Sequence, residues 1–322
     1  MKNIRIACWS LGKHAQTNIL PALQRTDAAE LRGVYTRDTE VLRRVREEYG
    51  CIAYENENQL LQDSEVAAVY ISSPASEHYI QVKRCLEAGK SVLIEKTAFP
   101  ELHEAEELVK IANDRQLVIM EAFMYRFHSQ FSTLSQIVKE QYFGSPIRID
   151  IQFGFPHLQR PNIRYDLDLA GGALLDAGAY TISAARNLVG DNLSLHSACT
   201  FSEPGFDVDT RGNAMFFINQ TTVTCAWAFG GAYRNQINIW TPERNIYTDR
   251  IFSKSESYDA TIELTDTRGG AEVISIGREN QFINMLEKFS SAAKSPQTSG
   301  ENSQLINQAR VIYEVRSRAS IG

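Results

Sequence analysis

The stretch IRIACWSLGKHA, residues 4–15, decides the fold. Its first half, Ile4–Trp9, is an almost unbroken apolar run, which is typical of a strand buried on both faces. The turn that follows partly matches the phosphate-loop pattern G-x-G-x-x-A, with Ser10, Gly12 and Ala15 at the three marked positions. Because it lies between the first strand and a helical pattern, we interpret this turn as a loop that approaches a pyrophosphate. An ordinary strand-to-helix turn is the alternative.

Strands and helices alternate from this loop to about residue 123. This order predicts βαβ units, and hence a parallel sheet with helices on both faces. The predicted strands are Ile4–Trp9, Leu31–Thr36, Ala67–Ser72, Ser91–Ile94 and Leu117–Met120. The predicted helices are Thr17–Arg25, Thr39–Glu48, Tyr79–Ala88 and Ala105–Arg115. Residues 1–123 are therefore predicted to form a Rossmann domain, an α/β fold with a doubly wound parallel sheet.

The pattern changes after residue 123, where polar and apolar residues begin to alternate. Alternation with period two predicts an antiparallel sheet with one face in water. The predicted strands are Ile147–Phe155, Asn213–Ile218, Thr222–Phe229, Gln236–Trp240 and Thr261–Leu264, and the predicted helices are Phe131–Glu140, Gln281–Ala293 and Gln304–Ala319. We therefore expect residues 124–322 to form an α+β domain with a large, open, mainly antiparallel sheet.

Composition narrows the class of protein. The chain has 322 residues, which suits two domains, and a net charge of -6 without a basic stripe, which argues against a nucleic-acid partner. It has no apolar run long enough to cross a bilayer and no signal segment at its start, so we expect a cytoplasmic protein with no membrane partner. The six histidines and five cysteines lack clustered ligand spacing, so no metal site is expected.

The end of the second strand bears on the choice of cofactor. An acidic residue there would accept hydrogen bonds from the ribose hydroxyls of NAD, whereas an arginine pairs with the 2′-phosphate of NADP. Thr36 stands where the acid is expected and Arg37 follows it, which favours NADP. NAD remains an alternative cofactor if the carboxylate of Asp38 reaches the ribose. Arg37 is alternatively interpreted as a solvated charge at the end of the strand.

Six stretches resemble, in order and spacing, the motifs of the glucose-fructose oxidoreductase/inositol dehydrogenase (Gfo/Idh/MocA) family. They are the glycine loop with Thr36-Arg37, SPASEH at 73–78, LIEKT at 93–97, EAFMYRFH at 121–128, AGGALLDAGAY at 170–180 and AYRN at 232–235. Within the family, RPNIRY at 160–165 and the AYRN stretch are similar to NDP-hexose 3-ketoreductases. The stretch at 121–128 is also similar to dihydrodiol dehydrogenases and NADP-dependent D-xylose dehydrogenases.

The resemblance implies an NADP(H)-dependent oxidoreductase acting on a sugar or nucleotide-sugar, with its active site between two domains and its open sheet as a dimer face. The implied cofactor-binding residues are Ser10, Leu11, Gly12, Lys13, His14, Thr36, Arg37, Ser73, Pro74, His78, Glu95 and Lys96. The implied catalytic residues are Lys96, Asp176 and Tyr180, and those for substrate are Arg164, Tyr165, Asp176 and Tyr180. We expect a homodimer or a higher homo-oligomer.

Two departures from the family pattern affect these expectations. Thr97 replaces the proline of the family's Glu-Lys-Pro motif, which can loosen the turn that carries Lys96, and Ser10 replaces the first loop glycine. Structural roles also compete with functional ones: His78 is equally interpreted as a buried core histidine, and Arg164 and Tyr165 as loop-packing residues.

Carbonyl reduction explains why this trio of side chains belongs together. The developing alkoxide needs a proton donor and a stabilising charge. A phenol such as Tyr180, with a usual pKa of about 10, can donate once a nearby ammonium lowers that pKa. Lys96 follows a buried strand and suits the charge-stabilising role, although the opposite assignment stays open. Asp176 lies four residues before Tyr180, so on a helix both share one face.

Three functions follow as hypotheses. The first is a ketoreductase that uses NADPH to reduce a keto-sugar, which we expect to be linked to a nucleotide. The second is an NADP-dependent aldose dehydrogenase of the D-xylose type, or a trans-dihydrodiol dehydrogenase. The third is a non-catalytic NADP-binding sensor or scaffold, which a shared fold alone does not exclude. Because a sensor does not need Lys96, Asp176 and Tyr180, the sequence favours an enzyme.

Overall fold

The structure, a computed structural model, describes residues 3–142 and 144–321. By internal packing the chain divides into two compact units. The first contains the chain up to Phe123 together with Phe282–Ala309, and the second contains Met124–Gln281 and the chain from Arg310 onward. Each unit is built around its own sheet.

The first unit is a six-stranded parallel sheet. Its strand order is β3-β2-β1-β4-β5-β6, and all the strands are parallel. The chain adds β2 and β3 on one side of β1 and β4 to β6 on the other, as a doubly wound fold requires. The strands are β1 (Ile4–Trp9), β2 (Ala29–Tyr35), β3 (Ile52–Ala53), β4 (Ala68–Ile71), β5 (Ser91–Ile94) and β6 (Ile119–Glu121). Every residue of β4 and β5 is buried, which explains the continuous apolar runs in their sequences. The predicted parallel sheet is confirmed.

Helices connect these strands, and local signals set their ends. A π-helical turn, Ala15–Ile19, leads into the first helix. The helices are α1 (Leu20–Arg25), α2 (Thr39–Tyr49), α3 (Glu57–Gln62), α4 (Ala75–Glu87) and α5 (Leu102–Asp114). Asn56 caps α3 through its side chain, and α2 ends at Gly50, whose positive φ of 62° terminates the helix. Sequence analysis did not predict β3 or α3, because both are too short to show a clear period.

The second unit is a nine-stranded open sheet. Its order is β14-β13-β12-β11-β7-β10-β9-β8-β15. The strands are β7 (Arg148–Phe155), β8 (Ser194–Phe201), β9 (Arg211–Ile218), β10 (Thr221–Phe229), β11 (Arg234–Trp240), β12 (Arg244–Asp249), β13 (Ala260–Asp266), β14 (Ala271–Gly277) and β15 (Ser320–Ile321). Pairing is antiparallel except between β7 and β10 and between β8 and β15, so the expected mainly antiparallel sheet is confirmed.

Two helices pack on one face of this sheet. They are α6 (Ser129–Gln141) and α7 (Ala179–Val189), and α7 contacts both β7 and β10. Alternate residues of β10 are fully buried while those between them are only half-buried, which identifies a helix-covered face and an opposite face. The 3₁₀ turn Ile163–Tyr165 and the π-helical turn Leu174–Gly178 precede α7.

The C-terminal helices are α8 (Gln281–Lys294), α9 (Pro296–Ser299) and α10 (Glu301–Arg318). The sequence pattern predicts one domain over 124–322, whereas Phe282–Ala309 packs with the first unit. The reason is visible in α10, where Leu305 and Ala309 join the apolar core of the first unit. Periodicity reveals that a helix has an apolar face but not which core that face enters. Among the described residues, no helix combines the length and apolar character needed to cross a membrane.

Candidate active site

The loop after β1 adopts the conformation that a glycine would favour. Ser10, at the first glycine position of the motif, has a φ of 71°. Its N–H donates to Tyr35 O at 2.8 Å, and its carbonyl accepts from the hydroxyl of Ser72 at 3.0 Å. These bonds to β2 and to the residue after β4 hold a serine in a turn that its own preference would disfavour.

The position of Gly12 matches a loop that receives a phosphate group. A Cβ on Gly12 would meet only Ser72 O, at 3.8 Å, so packing within the protein does not demand a glycine here. Gly12, Lys13 and His14 are exposed, whereas Leu11 is buried and anchors the loop. A glycine in front of open space, just before a helical turn, fits the close approach of a dinucleotide pyrophosphate.

The end of β2 bears on the choice between NAD and NADP that Asp38 leaves open. Its carboxylate caps α2, accepting from Glu40 N at 3.1 Å and Val41 N at 3.0 Å. Arg37 is exposed, and its guanidinium donates to the carboxylate of Glu77 at 3.0 Å. Since Asp38 is committed to the helix, the exposed arginine at this strand end favours a 2′-phosphate over a ribose hydroxyl.

His78 lies in the core rather than at an open edge. It is 1% exposed, and its two ring nitrogens lie 2.9 Å from the carbonyl oxygens of Ala98 and Ser73. Burial lowers the pKa of this imidazole. The side chain therefore ties the Ser73-Pro74 segment to the loop after β5. Ser73 is itself buried, and its hydroxyl donates to Gln81 of α4.

Glu95 and Lys96 directly follow β5, at the carboxyl edge of the parallel sheet. Glu95 accepts from the hydroxyl of Tyr70 at 2.7 Å and lies 3.6 Å from Nε2 of His14, so it connects the sheet to the phosphate loop. Lys96 is half-buried, and the Lys96–Thr97 peptide bond is cis. This edge is where doubly wound folds bind their ligands.

The turn after Lys96 is anchored in spite of its missing proline. Thr97 is buried, and the backbone of Ala98 is bonded on both sides: its N–H donates to Glu121 Oε1 at 2.8 Å, and its carbonyl faces His78. The expected loosening of this turn is therefore opposed by two buried side chains. Glu121 was part of a quoted motif, but the sequence did not indicate this role for it.

In the second unit, Asp176 and Arg164 form an ion pair. Arg164 Nε lies 2.7 Å from Asp176 Oδ2, and this carboxylate raises the pKa of the guanidinium. Asp176 lies on the π-helical turn that runs into α7, and Arg164 on the 3₁₀ turn before the glycine pair. The pair is only partly buried, so polar groups of a substrate can reach it.

Tyr180 lies in the first turn of α7 within an aromatic cluster. It is 7% exposed, its hydroxyl is 3.5 Å from Met124 Sδ, and its ring centroid lies 5.3 Å from Phe153 and 5.6 Å from Phe252. Asn235 fixes Phe252 in turn, accepting from Phe252 N at 2.9 Å. The amide of Asn235 thus supports the wall around Tyr180, a role that the AYRN motif alone did not reveal.

Asp209 supports the start of the segment that carries Asp176 and Tyr180, and sequence analysis did not single it out. Its carboxylate accepts from Leu174 N at 2.8 Å and from Trp227 Nε1 at 3.3 Å. Burial raises its pKa to about 6, although these donors act in the opposite direction. No local sequence signal marked it, because its partner Leu174 is 35 residues away.

The predicted residues thus fall into two groups, one in each unit. The first unit holds the phosphate loop, Thr36-Arg37, the Ser73–His78 segment and Glu95-Lys96, while the second holds Arg164, Tyr165, Asp176 and Tyr180. Within the part of the chain that the structure describes, no group of three or more His, Cys, Asp or Glu residues is arranged to hold a metal ion. The chemistry available is that of a cationic lysine, a phenol and a carboxylate–arginine pair.

Comparisons with known proteins agree with this description. Residues 4–123 match the family model described as "Oxidoreductase family, NAD-binding Rossmann fold", and residues 131–246 match the GFO/IDH/MocA C-terminal domain. The dTDP-3,4-didehydro-2,6-dideoxy-alpha-D-glucose 3-reductase of Actinomadura kijaniata is 30% identical over 98% of this chain and 96% of its own. The D-xylose 1-dehydrogenase (NADP(+)) 2 of Haloferax volcanii is 26% identical over 95% of this chain and 94% of its own.

A solved structure has the same fold over nearly the whole chain. It is the crystal structure of KijD10, a 3-ketoreductase from Actinomadura kijaniata, in complex with NADP and TDP-benzene. The TM-score is 0.93, with 28% identity over 99% of this chain and 98% of KijD10. The similarity therefore extends across both units and is not limited to the Rossmann fold.

Proposed function

Because the chain belongs to the Gfo/Idh/MocA oxidoreductase family, we propose that it is an NADPH-dependent reductase of a keto-sugar carried on a nucleotide. The observation that carries this proposal is the site geometry of the second unit, where Asp176 is paired with Arg164 at 2.7 Å and precedes Tyr180 by four residues. The full-length similarity to a dTDP-keto-sugar 3-reductase supports the same choice of substrate class.

The cofactor site is assigned to the first unit. Backbone groups from Ser10 to His14 would hold the pyrophosphate, Thr36 and Arg37 the 2′-phosphorylated ribose, and the Ser73-Pro74 and Glu95-Lys96 segments the nicotinamide half. The engagement of Asp38 as a helix cap supports NADP over NAD, and the open space in front of Gly12 leaves room for the pyrophosphate that both cofactors share. When bound, the reduced nicotinamide supplies the hydride.

The protein's own groups supply the proton and the positive charge that stabilises the transition state. Tyr180 donates its phenolic proton to the carbonyl oxygen as negative charge develops on that oxygen. The ammonium of Lys96 stabilises the charge. Asp176 and Arg164 bind hydroxyl groups beside the reacting carbon, and Tyr165 lines the substrate site. His78 acts indirectly, because both its ring nitrogens are engaged by backbone carbonyls that flank the lysine turn.

One observation favours a second candidate, an aldose dehydrogenase that works in the oxidative direction. The Haloferax volcanii D-xylose dehydrogenase matches this chain over 95% of its length. The same residues would then act in reverse, with Tyr180 accepting the proton from a sugar hydroxyl. This candidate predicts turnover of a free sugar, whereas the first predicts that a nucleotide is needed.

An absorbance assay separates these candidates. NADPH and NADH are each tested with dTDP-linked 3-keto-deoxysugars, and NADP⁺ with D-xylose, other aldoses and trans-dihydrodiols. Oxidation of NADPH by a nucleotide-linked keto-sugar is the expected result. Turnover of NADP⁺ only with a free aldose or diol would replace the first proposal with the second. Tight NADPH binding without turnover in either direction would indicate a sensor or scaffold.

The open sheet face supports a homodimer or higher homo-oligomer as part of the proposal. Phe217 of β9 and Trp240 of β11 lie on the face opposite to the helices and are 39% and 66% exposed. Large exposed apolar side chains on one sheet face are typical of a protein interface. Light scattering after size exclusion should give at least twice the chain mass, and Trp240→Glu should shift it to the monomer mass. A wild-type protein of monomer mass would refute the proposed oligomer.

A further inference from the structure

An arginine lies over an aromatic ring in the loops beyond β7 and β8. The guanidinium carbon of Arg160 is 3.8 Å from the ring centroid of Phe206 and 5.3 Å from that of Tyr165. One of its nitrogens donates to Gly205 O at 3.1 Å. An arginine held by a ring and a backbone carbonyl loses less side-chain entropy when it binds a ligand, because its position is already restricted.

The ring beneath this arginine is itself held in place. His157 stacks on Phe206 with centroids 5.1 Å apart and an interplanar angle of 14°. The hydroxyl of Tyr165 accepts from Leu158 N at 2.9 Å, which fixes the loop that leads to Arg160. We refer to His157, Arg160, Tyr165 and Phe206 as the arginine stack.

The arginine stack is connected by ring contacts to the aromatic cluster around Tyr180. Ring contacts run without a break from Tyr180 to Phe153, Phe155, Phe229, Tyr165 and Phe206, with successive centroids 5.3, 5.9, 5.2, 5.6 and 5.0 Å apart. Phe153 and Phe155 are two residues apart on β7, so both lie on the helix-covered face. The stack therefore lies on the same face as Tyr180, at the carboxyl end of β7.

Charge distinguishes Arg160 from its neighbours. Arg164 is paired with Asp176, and Arg211 lies 3.6 Å from Glu203, whereas among the described residues Arg160 has no carboxylate within ion-pairing distance. Glu203 also lies 3.2 Å from His157, so its charge is already shared between two partners. Arg160 thus presents an exposed, oriented fork of N–H donors, the geometry that binds phosphate oxygens in a bidentate manner.

We propose that Arg160, held over Phe206, binds the diphosphate of the nucleotide-linked substrate while the sugar reaches Tyr180. This inference rests on the proposed function and adds to it the group that recognises the nucleotide. It explains why a free sugar would be a poor substrate: the diphosphate contact would fix the position of the sugar at a distance from the reacting carbon. Binding energy from a remote group of this kind is used to orient the reacting centre.

The test combines direct binding with kinetics, using Arg160→Met, Arg160→Lys and the matched control Arg250→Met. Arg250 also lies over two rings, 5.6 Å from Tyr233 and 5.5 Å from Tyr258, but it is outside the arginine stack. Thymidine diphosphate, thymidine and inorganic phosphate are titrated by calorimetry in saturating NADP⁺, which keeps these probes out of the cofactor site. Thermal unfolding checks that each variant is folded.

For Arg160→Met we expect thymidine diphosphate to bind about 10- to 100-fold more weakly, as when a charge-assisted contact to phosphate is lost. KM for a dTDP-linked keto-sugar should rise by a similar factor with kcat nearly unchanged, and Arg160→Lys should be intermediate. Thymidine binding and the Arg250→Met variant should match wild type. Unchanged diphosphate affinity in Arg160→Met would overturn the inference, as would an equal loss in Arg250→Met.

Failure of the inference can be told apart from failure of the proposed function. If wild type binds no thymidine diphosphate and reduces no nucleotide-linked sugar, the proposed function itself is refuted. If wild type reduces such a sugar and Arg160→Met does so with the same KM, only the role of Arg160 is refuted. If inorganic phosphate binds as tightly as the diphosphate, the stack is a general anion site and the inference is likewise rejected.

Discussion

The carboxylate of Asp209 accepts a hydrogen bond from the backbone N–H of Leu174 at 2.8 Å. This contact fixes the start of the π-helical turn that continues into α7, and hence the segment that carries Asp176 and Tyr180. The same carboxylate accepts from Trp227 of β10, so it also ties this segment to the sheet. A partly buried carboxylate whose pKa is raised makes the stability of the protein depend on pH.

We predict that Asp209 lowers stability as pH rises from about 4 to above 6. Burial raises its pKa to about 6, so over this range the folded chain keeps a proton that the unfolded chain has lost. The free energy of unfolding therefore falls with rising pH, by a contribution of the order of 3 kcal/mol for a carboxyl group whose pKa is about 6 in the folded chain. In Asp209→Asn, which cannot titrate, this contribution should be absent.

Urea unfolding at several pH values between 4.5 and 7.5 measures the effect as the difference between wild type and variant. As pH rises, the free energy of unfolding of Asp209→Asn should increase relative to that of wild type. Asp207→Asn serves as the control, because Asp207 is exposed and only two residues away. Parallel stability curves for wild type and Asp209→Asn would contradict the prediction.

A second prediction concerns Gly172, whose φ is 121°. A Cβ at this position would overlap the Asp209 carboxylate, so Gly172→Ala should lose stability through both backbone strain and displacement of that carboxylate. Gly190 is a matched control, because its φ is 104° and a Cβ there would meet nothing within 4 Å. Gly172→Ala should therefore be less stable than Gly190→Ala, by about 1–3 kcal/mol for a disrupted buried hydrogen bond. Equal losses in the two variants, measured by urea unfolding, would show that the carboxylate is not displaced.

Much of the fold was predictable because burial on both faces leaves a strong pattern. The apolar runs of β1, β4 and β5 predicted the parallel sheet directly, since the side chains on both buried faces of a central strand are mostly apolar. Strand β12 was missed because RNIYTD is largely polar and has only two fully buried residues. Strand β14 was missed because it lies at the sheet edge with most of its residues exposed.

Some residues of the candidate site could be predicted from the local sequence, whereas the roles of others depend on partners that are distant along the chain. Asp176 and Tyr180 could be placed on one helical segment because their spacing is local. The capping role of Asp38 was also within reach, since an aspartate just before a helical pattern is an N-cap signal. The roles of Asp209 and Glu121 could not be derived, because each acts on a backbone N–H more than 20 residues away, at Leu174 and Ala98.

A third prediction tests the choice of cofactor through Arg37. Arg37→Ala should weaken NADPH binding by about 10- to 100-fold, the effect of losing a charge-assisted contact to phosphate, and should leave NADH binding unchanged. Arg43→Ala is the control, because Arg43 is an exposed arginine of α2 that pairs with Glu47. Fluorescence titration with both cofactors measures the effect. Equal loss of NADPH and NADH affinity would mean that Arg37 supports the loop rather than reads the 2′-phosphate.

The last prediction assigns the proton. If Tyr180 donates it, Tyr180→Phe should lower kcat for carbonyl reduction by about 100- to 10,000-fold, the usual contribution of general acid catalysis, with cofactor affinity retained. Tyr125→Phe is the control, because it removes a buried tyrosine hydroxyl, bonded to Ser183 Oγ at 2.8 Å, from a ring 6.1 Å from that of Tyr180. It should cost stability but not kcat. Lys96→Met should also lower kcat, since the developing charge loses its ammonium. A Tyr180→Phe enzyme that keeps most of its activity, beside a Lys96→Met enzyme that has lost nearly all of it, would reverse the two roles and make the lysine the proton donor.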